Sequence, residues 1–447
     1  MWRTAAGVLA ALSLAAGCGV ELGESGTPTD LGFDVIGSPT ETTTPTDPTS
    51  PPTTAPPPVD VEIIGTDGSE INDIAANAIV DIEAFWTDHY PEISGGDPYE
   101  PVVGGFYAMD SGTDPSTLPC GITDISVVLY NAFYCPPDDA MAWDQEGLMP
   151  ELAETYGDFT VATVMAHEWG HAIQARARID EPTIVTELQA DCWAGAWARH
   201  VQDDADSRFR VTTADLDLAL AGVLSLRDAP GGTADDPNAH GSGFDRVGAF
   251  QEGFEDGVEP CAGYTRAELN PYQFPFDPDD PEEELTGGNL PLDGDGVDEG
   301  INQLAFVSLE DYWADTFPEL SDGEEWTSLE DPVAFSPDDP PTCGGDVVDD
   351  FRLFYCAPDN YVGFDNAETM PQAHTFGDFA VGTLYGTQYG LAVQQQLGLD
   401  TDDVVTATLR GDCFAGSWAA AMLPTAESAE FPGDFRLSPG ALDEAVG

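Results

Sequence analysis

The sequence predicts an α+β fold built twice in tandem, on three observations. Long segments with apolar residues recurring three and four apart read as helices. Short β-branched and aromatic runs broken by Gly and Pro read as strands of a small antiparallel sheet. The chain also matches itself: "DIEAFWTDHYPEI" at 81–93 returns as "SLEDYWADTFPEL" at 308–320, "FYCPPDDAMAWD" at 133–144 as "FYCAPDNYVGFD" at 354–365, and "ELQADCWAGAWA" at 187–198 as "TLRGDCFAGSWA" at 408–419. The copies run in the same order at a nearly constant offset, so each is a whole domain and not a solenoid unit.

Residues 1–18, "MWRTAAGVLAALSLAAGC", hold one arginine, an apolar run from Ala5 to Ala16, small residues and a cysteine. The run is too short for a permanent membrane span and reads as an export signal. Its end, Leu14-Ala15-Ala16-Gly17-Cys18, resembles a bacterial lipobox, which implies cleavage before Cys18 and lipidation of its sulfur. Ala15 stands where leucine is commonest, and an ordinary cleaved signal is the alternative. Residues 19–58 are mostly Thr, Pro, Ser and Gly, with almost nothing to bury, and predict an extended, disordered tether. The expected location is the outer face of the cell membrane, held by lipid, or the exterior if the signal is an ordinary one.

The first domain is expected at 59–262. Ile71 to His89 has a helical period, and "PVVGGFYAMD", "ISVVLYNAFY" and "DAMAWD" supply the strands. From Asp158 to about Arg178 runs a helix whose Val161, Val164, Met165 and Ile173 make it largely buried. After "IDEP", Pro182 suits a first helical position, and a second long helix reaches about His200. Residues 263–299 read as an acidic linker; its "LDGDGVDEG" has only incomplete spacing for a calcium loop. The second domain is expected at 300–447.

Charge excludes several partners. The chain has 83 acidic residues against 12 basic ones, all of the latter arginine. Such a surface is repelled by nucleic acid and by anionic headgroups, which leaves the N-terminal lipid as the expected membrane contact. Acid-rich, lysine-free composition is also that expected of a protein in concentrated salt, where ions screen self-repulsion.

The chemistry lies in "TVMAHEWGHAIQ" at 163–174. His167 and His171 are four apart on a helix, so both imidazoles project from one face and can grip a single ion, with Glu168 beside it. With six histidines in the chain, a chance H-E-x-x-H has an expectation on the order of 0.01. This is the arrangement of a zinc hydrolase, in which zinc activates water and a neighbouring carboxylate takes the proton. On the next helix Glu187 and Asp191 are again four apart. If the helices cross, Glu187 completes the ligand set and Asp191 accepts a hydrogen bond from the outer nitrogen of a ligand histidine. The alternative, acidic residues on a solvated face, fits poorly with their small and apolar neighbours.

Taken together, "AHEWGHAIQ", "ELQADCWAGAWA", "NAFYCPPDD" and "HGSGFDRVGAFQEGF" resemble the bacterial neutral zinc metallopeptidase family over about residues 70–262. The resemblance implies a zincin-type fold whose sheet edge lies along a polypeptide substrate. It implies His167, His171 and Glu187 as zinc ligands, Glu168 as general base and Asp191 as the partner of a ligand histidine. A stabiliser of the oxyanion is expected as well; His240 is the first candidate, with Tyr130 and Tyr156 behind it, and a capping or structural role for His240 is equally open.

In the second copy His167, Glu168, His171 and Glu187 align with Thr387, Gln388, Leu391 and Thr408. That copy is expected to fold, to bind no catalytic metal and to act as a support or docking domain. Cysteines in an exported chain are expected as disulfides. The repeat pairs Cys120 with Cys135 and Cys343 with Cys356, leaving Cys192 with Cys261 and Cys413 unpaired. Two function classes follow: an anchored zinc endopeptidase, favoured by the intact motif, and a non-catalytic, zinc-stabilised scaffold lipoprotein.

Overall fold

The computed structural model describes residues 59–423 and 437–446, apart from 234–235, 237–238, 267–268, 270, 273–275, 277–286 and 295–298, together with residues 32–33. The expected signal, Cys18 and all but two residues of the expected tether lie outside the described residues. The chain divides into two compact units, residues 46–275 and residues 276–447, the latter grouped with residues 1–45. Strand β1 (Gly32–Phe33) belongs to the second unit.

The first unit mixes helix and sheet. Strand β2 (Ile63–Ile64) leads into helix α1 (Glu70–Ile93), strand β3 (Phe106–Met109) and the hairpin of β4 (Ala132–Cys135) and β5 (Ala140–Asp144). Six helices follow: α2 (Leu148–Tyr156), α3 (Asp158–Ala177), α4 (Thr183–Asp203), α5 (Thr213–Ser225), α6 (Gly243–Asp256) and α7 (Val258–Ala262). Pro182 is the cap of α4, with an extended ψ of 154°, and not its first helical residue.

The sheet order is β2-β3-β5-β4. It is mixed, not antiparallel as the sequence suggested: only β4 runs against β5, while β2 with β3 and β3 with β5 are parallel. The reason is the length of the connections. A tight turn at 136–139 folds β4 back on β5, whereas α1 and the long segment after β3 return the chain to the end where it started. Strand β4 is left at the edge.

Helix α3 is buried on nearly every side, with Val161, Met165, Trp169 and Ile173 all in the core. Full burial of large apolar side chains stabilises by roughly 2–3 kcal/mol each. Trp169 stacks on Phe106 of β3 at 5.8 Å between centroids, which seats the helix on the sheet. Gly170 sets how closely α4 approaches: a Cβ there would lie 2.6 Å from the Cα of Ala190. On the far side of α4, Gly195 faces the Phe250 carbonyl of α6 and Gly253 faces the Cys192 carbonyl, each too near for a side chain. The Cys192–Cys261 disulfide closes the same seam, and Cys120–Cys135 and Cys343–Cys356 are also formed.

In the second unit come helix α8 (Ile301–Leu320), β6 (Val333–Phe335), the small pair β7 (Thr342–Cys343) and β8 (Asp346–Val347), β9 (Leu353–Cys356) and β10 (Tyr361–Asp365). They are followed by α9 (Thr369–Ala373), α10 (Asp378–Leu397), α11 (Val404–Ala421) and α12 (Ala441–Val446). Its larger sheet has the order β1-β9-β10-β6. Phe306 stacks on Tyr385 at 4.4 Å, and Trp313, Phe414 and Trp418 are buried beside them. The expectation of a free Cys413 is not met: it is disulfide-bonded, to a partner outside the described residues. Cys413 lies on an exposed side of α11 together with Val405 and Leu409.

Helix α12 is docked on the start of α10 through Glu444, beside Asp378. Glu444 accepts the backbone N–H of Phe379 at 2.9 Å, and Asp378 accepts that of Leu290 at 2.8 Å. Burial, then the charge of Asp378, pushes Glu444 up to about 8, so the two groups share a proton. A raised folded-state pKa gives stability that is complete below the unfolded value near 4.5 and is lost as pH rises through about 8. Hydrogen exchange of residues 441–446 is therefore expected to speed up from pH 6 to 9 beyond the intrinsic base-catalysed increase. Glu444→Gln should abolish that excess. Equal excess in both proteins would refute the shared proton.

Candidate metal centre

Helices α3 and α4 carry the site, and Gly170 is the reason it closes. Ala190 seats against that glycine, so the residues flanking it by three and one, Glu187 and Asp191, meet the histidine face of α3. His167 Nε2 lies 3.2 Å from Glu187 Oε2, and His171 Nε2 lies 3.4 Å from Glu187 Oε1. The two rings stand almost perpendicular, with centroids 4.9 Å apart. Among the described residues these three form a group able to hold one ion; the other such group, Cys343, Cys356 and Asp359, has its two sulfurs in a disulfide.

The outer nitrogens are also engaged. His167 Nδ1 is 2.7 Å from Asp191 Oδ1, and His171 Nδ1 is 2.9 Å from Gln174 Oε1. Gln174 is fixed in turn by donating to the Thr186 carbonyl at 2.6 Å. With both Nδ1 atoms in hydrogen bonds, each ring is held with Nε2 toward Glu187. The two Nε2 atoms face different oxygens of Glu187, and one donor atom from each of the three residues lies within 4.8 Å of the others; two imidazoles and a carboxylate are a donor set that fits zinc.

Electrostatics point the same way. Burial alone disfavours a charged His167, but the charge and hydrogen bond of Asp191, followed by Glu187, outweigh it and push the imidazole up to about 10. Glu187 is held down to about 2: burial opposes ionisation, while the His167 hydrogen bond and the charges of His171, His167 and Arg246 favour it.

Glu168 is buried beside the cluster and is not one of its donors. Its Oε2 accepts the backbone N–H of Tyr134, on edge strand β4, at 3.0 Å. Burial raises its pKa, and the charges of His171 and His167 pull it partly back.

The candidate oxyanion groups stand apart. His240 has its backbone N–H on Asp228 Oδ2 at 2.8 Å and its Nδ1 3.3 Å from Asp228 Oδ1, with the ring side chain 55% exposed. Tyr130 is 66% exposed, and Tyr156 leans on the core at the end of α2. None of the three is hydrogen-bonded to the ligand cluster among the described residues. The sequence reading missed Gln174, Asp228 and Arg246. Gln174 follows His171 by one helical turn and was legible from spacing; the other two come from distant segments and left no local signal.

At the aligned positions of the second unit, Thr387 donates to Asp412 at 2.8 Å. Gln388 and Leu391 are buried, and Thr408 donates to the Val404 carbonyl. No imidazole or ionised ligand set stands there among the described residues.

Residues 60–264 match the family model described as "Putative neutral zinc metallopeptidase". The chain is similar to "Uncharacterized protein YpfJ" of Escherichia coli strain K12, 29% identical over 149 residues, covering 28% of this chain and 50% of that protein. It is also similar to "Uncharacterized protein Rv2575" of Mycobacterium tuberculosis strain H37Rv, 30% identical over 165 residues, covering 31% of this chain and 56% of that one. The chain thus spans about half the length of the curated relatives it matches. No solved structure matches it.

Proposed function

We propose, from the match of residues 60–264 to this family model, that the chain is an exported, zinc-dependent endopeptidase of zincin-like fold. The observation that carries the reading is the convergence of two Nε2 atoms and one carboxylate, one donor from each within 4.8 Å of the others, beside a buried fourth residue, Glu168. Zinc held by His167, His171 and Glu187 supplies Lewis acidity and brings a water's pKa to about 7.

The chain's own residues do the rest. Glu168 takes a proton from the attacking water at its carboxylate and returns it to the leaving amine nitrogen. Its raised pKa suits a group that must hold that proton between steps. Edge strand β4 has one side without a strand partner, whose N–H and C=O groups suit an extended polypeptide. His240, oriented by Asp228, is proposed as the donor to the developing oxyanion, after movement of its loop. The second unit, with Thr387, Gln388, Leu391 and Thr408 in place of the site, is proposed as a metal-free support. Incubating the purified chain with a mixed peptide library should give cleavage that a chelator abolishes and zinc restores. Cleavage indifferent to the chelator, or a zinc-loaded chain that cleaves nothing while a scaffold role persists, would overturn it.

A further inference from the structure

We propose that Arg246 is a positioning residue for the metal centre, acting on His167 through Asp191; this rests on the peptidase reading only in taking His167 as a zinc ligand. Arg246 sits on the first turn of α6 and is buried. Its guanidinium meets Asp191 as a fork, Nε to Oδ2 at 2.8 Å and Nη2 to Oδ1 at 2.9 Å. The same Oδ1 receives His167 Nδ1 at 2.7 Å. A planar two-point contact fixes the rotation of a carboxylate, as a single bond does not. Oδ1 is therefore held where the imidazole needs it, and the ring cannot turn without breaking a chain of three groups.

Arg246 also ties this chain to the loop that carries His240. Its Nη1 donates to the Leu226 carbonyl at 2.8 Å, two residues before Asp228, which in turn holds the N–H groups of His240 and Gly241. The Cγ of Arg246 lies beside Gly241, where a Cβ would be 3.5 Å away. One buried side chain thus links the α4 carboxylate, the 226–228 loop and the start of α6. The second unit is a built-in contrast. Asp412 is kept there, its described side-chain partner is the hydroxyl of Thr387, and no arginine faces it among the described residues. Loss of the histidine and absence of the fork coincide.

Zinc affinity, measured by competition with a chromophoric chelator, tests this on the full chain. Arg246→Ala is expected to weaken zinc by about 10–100-fold, and Arg246→Lys by an intermediate amount. Asp191→Asn/Arg246→Ala should bind no more weakly than Asp191→Asn alone, because the arginine acts through that carboxylate. A merely structural arginine would weaken the double variant further, and that result overturns the proposal, as does wild-type affinity in a folded Arg246→Ala. If Arg246→Ala loses its near-UV circular dichroism, Arg246→Lys decides: several-fold weaker zinc supports the fork, unchanged affinity refutes it. A wild-type chain that takes up no zinc would sink the metal-site reading itself, and this one with it.

Discussion

Glu168→Ala is expected to bind zinc within a few-fold of the wild-type chain and to hydrolyse peptide at least about 100-fold more slowly, the lower end of what a positioned general base contributes. The two halves of that result come from separate observations. Glu168 is absent from the group of donors that could hold an ion, so its removal leaves His167, His171 and Glu187 in place. Yet it sits on α3 between the two histidines, buried, with Oε2 fixed by the Tyr134 N–H. Burial raises its pKa, and the charges of His171 and His167 pull it partly back. Zinc titration and single-turnover cleavage on the same preparation decide the matter. Parallel loss of metal and activity would make Glu168 a ligand; full activity would remove it from the chemistry.

Cys192→Ser/Cys261→Ser is expected to cost on the order of 4 kcal/mol in unfolding free energy, from the loop-closure entropy of a pair separated by 69 residues. The Cys120–Cys135 bridge, with a separation of 15, should contribute about 1 kcal/mol less. The larger bridge matters beyond stability because it ties α4, the helix of Glu187 and Asp191, to α7, directly after the helix that Gly195 and Gly253 let press close. Urea unfolding of the double variant measures the cost. A change under about 1 kcal/mol would show that the glycine-tight packing holds the seam without the bond.

Much of this was legible because it is local. The spacing of His167 and His171 needs only the helical period, and the pairs Cys120–Cys135 and Cys343–Cys356 follow from the repeat. The sheet was misread because strand direction depends on what connects the strands, and "PVVGGFYAMD" looks alike whether its neighbour runs with it or against it. Arg246 was invisible for a similar reason. It reaches Asp191 across 55 residues, and nothing in "HGSGFDR" says which carboxylate it will meet. Cys413 was misjudged by elimination, since Cys18 was set aside as the lipidated residue and the other six cysteines were paired among themselves.

The bond from Tyr134 to Glu168 has a consequence for the proposed peptidase activity. On the proposed function, the strand that would take a polypeptide and the carboxylate that would move the proton are tied through one backbone amide. Slippage of the β4 hairpin would then shift grip and turnover in step, so variants altering one while sparing the other should be scarce along that strand. The short bridge at Cys135 would act as a set-screw on the rate constant.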